Sequence, residues 1–126
     1  MSDNIAPIWI GQFGPTAPAS YFVQRNDEDG NVVPCQFAKD QGIRSFDEDF
    51  VEISWANDGM KDVRSFINGH SYSDAYIDKL VAKASQLGVK EINVFVLGDK
   101  SEFPSPRSAF GEGFKLWYCG EFDCHS

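Results

Sequence analysis

Bases are scarce in this sequence of 126 residues: 11 Lys and Arg stand against 19 Asp and Glu, for a formal net charge of −8. That shortage excludes nucleic acid and anionic membrane as natural partners, because both are held chiefly by neutralising their negative charge. Long hydrophobic runs are missing as well. No stretch approaches the roughly 18 apolar residues that span a bilayer, and Met1-Ser2-Asp3-Asn4 has neither the basic start nor the apolar run of a secretory signal. The expectation is a cytoplasmic protein with no membrane contact. Cysteine is limited to Cys35, Cys119 and Cys124, an odd number at uneven spacing that suits reduced thiols better than a disulfide framework. With only 11 Gly and 6 Pro, the composition is also far from that of a disordered chain.

Motifs that carry chemistry are equally thin. Glycines at 11, 14, 111 and 113 do not make dinucleotide or phosphate-loop spacing, and no nucleophile-elbow pattern occurs. His70 lies in Gly69-His70-Ser71-Tyr72-Ser73-Asp74, which contains Ser, His and Asp, but sequence neighbours rarely point at one another as a triad requires. Ser71 or Ser73 as a helix cap explains the string more simply. Cys119, Asp123, Cys124 and His125 have the wrong spacing for a zinc knuckle. Asp27-Glu28-Asp29-Gly30-Asn31 fails the calcium-loop register, since counting from Asp27 puts Val32 where the turn glycine belongs. No catalytic residue, metal ligand or cofactor is expected.

What is present is enough apolar material for one core: 42% hydrophobic and 14% aromatic residues in a chain of ordinary single-domain length. Residues 1–126 are therefore read as one domain. Ile5 to Phe13 is a nearly continuous apolar run, as in a strand buried on both faces. Residues 16–23, with Thr16 as cap, and 34–42 suggest short helices. Phe50 to Trp55 alternates, with Val51, Ile53 and Trp55 on the core face and Phe50, Glu52 and Ser54 on the other. Asp62 to Ile67 is a further short helix. Ser73 to Leu87 reads as the longest one, carrying the stripe Ile77, Leu80, Val81, Ala84 and Leu87. Ile92–Leu97 and Phe114–Phe122 complete four strands. The predicted fold is α/β or α+β, a small four-stranded mixed sheet covered by helices, closed by a long return through residues 98–113.

The charge is not spread evenly. Residues 27–52 hold Asp27, Glu28, Asp29, Asp40, Asp47, Glu48, Asp49 and Glu52 against only Lys39 and Arg44, a net −6 of the −8. Phe37, Phe46, Phe50 and Trp55 lie within or beside this window. Carboxylates that steer encounter and aromatics that anchor it describe a docking surface for a cationic protein. A solvated surface kept for solubility fits the same residues. So does a small hydrolase using Asp47, Asp49 or Glu52 as acid and base.

Four strings, taken together and in order, give the chain a family likeness: Trp9-Ile10-Gly11-Gln12-Phe13, Phe37-Ala38-Lys39-Asp40-Gln41-Gly42-Ile43, Phe46-Asp47-Glu48-Asp49-Phe50 with Glu52, and Gly69-His70-Ser71-Tyr72-Ser73-Asp74. With Asn93-Val94-Phe95-Val96-Leu97 as the last matching strand, residues 8–98 resemble the immunity protein 22 family of bacterial polymorphic toxin systems. The resemblance implies an inhibitor that binds and neutralises a cognate toxin domain, without catalysis. A basic, nuclease-like toxin would suit the acidic window, and the eight carboxylates from Asp27 to Glu52 are the expected contact residues. An acidic adaptor for some other cationic protein is the nearest alternative. Oligomeric state is not legible.

Overall fold

The computed structural model describes residues 5–14, 17–56, 58–68 and 73–123. In chain order its elements are β1 (Ile5–Phe13), α1 (Ala17–Phe22), β2 (Arg25–Asn26), β3 (Val32–Val33), α2 (Gln36–Asp40), β4 (Glu52–Trp55), β5 (Lys61–Asp62), α3 (Val63–Ile67), α4 (Ser73–Gln86), β6 (Glu91–Ile92), β7 (Val94–Leu97), β8 (Ala109–Gly111) and β9 (Phe114–Asp123). The main sheet has five strands in the order β4-β7-β1-β9-β8, and every pairing in it is antiparallel. The fold is therefore α+β, and the expected four-stranded mixed sheet is corrected on both counts. The added strand, β8, has three residues and folds back on β9 through Glu112-Gly113, so it is too short to show a period of its own. The sheet is antiparallel because no βαβ crossover links sequential neighbours within it.

Strand alternation divides the core into two layers. β1 is central and sends Ile8 and Ile10 to one face and Trp9 and Phe13 to the other. β7 does the same with Phe95 and Leu97 against Val94 and Val96. The first face packs on α3 and α4 through Val63, Phe66, Ile67, Tyr76, Leu80 and Ala84. Tyr76, which the sequence stripe left out, is buried on this face, whereas Leu87, which the stripe included, is exposed. The second face is aromatic, with Trp9 meeting Phe37 at 5.3 Å and Phe103 at 4.9 Å between ring centroids. A bulge opposite Ile8 and Trp9 inserts Cys119 as an extra residue, and Gly120 accommodates it at φ 108°. The inserted residue shifts the alternation by one, which places Phe122 with Cys119 on the α4 side.

Three carboxamides lock the loops onto this frame, each holding both the N–H and the C=O of one backbone residue. Gln41 pairs with Arg107 at 2.8 and 2.7 Å, seating the return loop and its buried Phe103 over the aromatic face. Gln24 pairs with Phe46 at 2.9 and 3.1 Å. Asn93 pairs with Phe13 at 2.7 and 2.8 Å, at the point where the expected strand 92–97 divides into β6 and β7. Because the Asn93 bonds are buried, Asn93→Leu strands one donor and one acceptor; the expected loss is about 2–4 kcal/mol. Urea unfolding with an unchanged m-value would register it as a lower midpoint.

Candidate partner-binding surface

Seven of the eight carboxylates of the acidic window are distributed over a hairpin, a short helix and a turn on the aromatic side of the sheet, and the eighth, Glu52, is on β4. β2 and β3 form the hairpin, whose tip carries Asp27, Glu28 and Asp29, all exposed. One Asp27 oxygen accepts from the N–H groups of Asp29 and Asn31, both at 2.9 Å, so it holds the turn closed and leaves Glu28 and Asp29 projecting. Gln24, just before β2, fastens the hairpin's base to Phe46, the residue preceding the second acidic group. Two loops far apart in sequence are thereby joined.

The second group, Asp47, Glu48 and Asp49, is also exposed and is built as a turn. Asp47 accepts the Asp49 N–H on its side chain at 2.9 Å and the Phe50 N–H on its carbonyl at 3.0 Å. Its own N–H donates at 3.1 Å to Glu102, a carboxylate from the return loop 55 residues later. Glu102 thus adds a charge to the acidic surface that no local signal in the sequence announces. Asp40 behaves differently: half-buried, it accepts from the Tyr21 hydroxyl at 2.7 Å and from Gln36 at 2.8 Å. Burial pushes the Tyr21 hydroxyl above the ordinary tyrosine range, and the hydrogen bond to Asp40 and that carboxylate's charge add to it. Asp40 braces α1 against α2.

Glu52 lies on β4 with strand parity opposite to Ile53 and Trp55, which pack into the aromatic layer, so it belongs to the other face of the sheet. The three carboxylates considered for acid–base catalysis do not converge: Asp47 and Asp49 are exposed on the turn, and Glu52 is on the far side. Both described thiols are buried. Burial pushes Cys119 up to about 12, and it raises Cys35 with a further contribution from the charge of Glu48, so both are neutral thiols at physiological pH. Among the described residues no group of three His, Cys, Asp or Glu side chains is placed to hold a metal. His70, Ser71, Cys124 and His125, and Thr16 as a cap, fall outside the described residues, as does the side chain of Ser73. No described helix is long and apolar enough to cross a membrane.

The ion pairs Lys61–Asp58, Arg64–Asp78 and Lys100–Glu121 all lie outside residues 27–52. Among the described residues, none of these pairs neutralises the hairpin tip or the 47–49 turn, whose carboxylates are exposed. The aromatics of the window sort just as sharply. Phe37 and Phe46 are buried and Trp55 is half-buried, stacked on Phe22, whereas Phe50 is 61% exposed. A rigid, anionic surface with one protruding aromatic ring can recognise a cationic protein surface through charge and a small apolar contact. Comparison with known families matches residues 6–124 to the family model described as Immunity protein 22. No curated protein and no solved structure matches the chain.

Proposed function

The chain belongs to the immunity protein 22 family, and from that membership we propose that it acts in the bacterial cytoplasm, within a polymorphic toxin system, by binding a cognate toxin domain and occluding its active cleft without catalysis of its own. The acid-rich surface supports a basic toxin as the partner, as expected for an enzyme whose substrate is nucleic acid. The observation that carries this reading is the outward charge of two loops tied together by Gln24: Glu28, Asp29, Glu48 and Asp49 are exposed, and the ion pairs named above neutralise none of them. Like charge gathered on one surface opposes folding slightly and favours association with an oppositely charged surface.

The test is to read the gene beside this one and co-express the C-terminal domain of its product with this chain. Growth should be restored to the rate seen with a catalytically dead toxin, and the two proteins should co-elute on gel filtration. Persistent toxicity at equal soluble expression, with no complex, rules out neutralisation of that toxin.

A further inference from the structure

Phe50 stands out against the core that surrounds it in sequence. Phe46 is 5% exposed and Val51 7%, yet the ring between them is 61% exposed and makes no ring contact among the described residues. Its position is nonetheless well determined. Gln24 holds both backbone groups of Phe46, Glu102 takes the Asp47 N–H, and the Asp47 carbonyl accepts the N–H of Phe50 itself. Val51, immediately after it, is seated in the aromatic layer. A ring carried on a backbone held in this way is presented at a set position, so covering it costs the ordering of one side chain and not of the loop, and a covered aromatic is among the strongest contacts at an interface.

We propose that Phe50 is the anchor of the complex: it inserts into an apolar pocket on the toxin whose rim is lined by Lys or Arg. This inference rests on the immunity reading and names the chemistry of its contact. The rim is assigned from charge complementarity, because the ring rises from a turn whose exposed side chains are Asp47, Glu48 and Asp49, with Glu102 bonded to its first residue. A cation on that rim meets both the carboxylates and the negative face of the ring. Phe110, equally exposed at 61%, is the competing candidate. It lies on β8 at the other end of the sheet from β4, the strand Phe50 leads into, and its ring leans on Trp117 at 6.0 Å, so it already has a partner within the chain.

The experiment measures association and dissociation rates of Phe50→Ala, Phe50→Trp and Phe110→Ala against the inactivated form of the domain that this chain neutralises in the co-expression test, across a range of salt concentrations. Circular dichroism and thermal unfolding verify that each variant is folded. Phe50→Ala should raise koff by roughly tenfold or more while leaving kon and its salt dependence as in wild type, because an anchor acts after encounter. Phe50→Trp should recover part of the residence time, and Phe110→Ala should match wild type. A koff for folded Phe50→Ala within a few-fold of wild type overturns the proposal. So does a loss confined to Phe110→Ala, which would move the contact to the β8 edge. Failure of the wild-type chain itself to bind or protect is a separate result, and it removes the immunity reading together with the anchor.

Discussion

Replacing Glu28, Glu48 and Asp49 together with lysine should slow association with a basic toxin domain by about one to three decades at low ionic strength. The triple change takes the formal charge from −8 to −2. It removes charge from both loops that the Gln24–Phe46 pair joins, and all three side chains are exposed. Asp47 is deliberately spared: its side chain holds the Asp49 N–H, and reversing it would disturb the turn as well as the charge. Stability should stay within about 0.5 kcal/mol of wild type, since surface changes away from such bonds seldom do more. Stopped-flow traces from low to high salt would show the wild-type rate falling and the variant rate nearly flat. Because steering charges act on encounter, koff should change much less than kon. This is the converse of the result expected for Phe50→Ala, and the pair of variants separates attraction from anchoring. An unchanged rate and salt slope would make the acidic window a solubility device and place the docking face elsewhere.

Trp9→Ala should destabilise the fold by about 3–5 kcal/mol, the range for removing a fully buried aromatic. Trp9 is inaccessible to solvent at the centre of the sheet, and its ring touches Phe37, Phe103 and Tyr118. Its indole N–H also donates at 3.1 Å to the Arg107 carbonyl, the same group that Gln41 holds. The cavity therefore undermines the return loop, and with it Glu102, the acceptor for the Asp47 N–H. Against the roughly 5–15 kcal/mol available to a domain this size, the variant is close to unfolding. Guanidinium unfolding measures the loss directly. A cost below about 1 kcal/mol would mean that the loop is not seated on Trp9, since lost area and cavity each contribute more than that.

The strings that carry the family likeness gain physical meaning in this architecture. Trp9 to Phe13 is the central strand, and Phe37 to Ile43 is α2 with its following turn, whose Gln41 clamps Arg107. Phe46 to Phe50 is the turn that ends in the exposed ring. The family match covers residues 6–124, beyond the 8–98 that those strings span. The region beyond Asp99, which carries none of those strings, is where Phe103, Arg107 and β9 complete the aromatic layer.

Periodicity by itself determined the elements that are long or strongly patterned. β1 was legible as a nearly continuous apolar run, α4 and β9 because a period of 3.6 or 2 repeats several times within each, and the parity of residues 50–55 already placed Phe50 off the core face. Composition likewise determined that the charge is concentrated between residues 27 and 52. The tertiary structure alone decided which of those charges act together. Parity had already turned Glu52 away from the core face, but only the fold shows Asp40 taken up between Tyr21 and Gln36 and Glu102 arriving from a loop 55 residues away. Likewise, only the fold shows Phe37 and Phe46 covered while nothing packs over Phe50, because coverage depends on which distant segment lies above a position. Such contacts are set by sheet order and by single carboxamide pairs spanning 22 to 80 residues, and neither leaves a periodic trace in the chain.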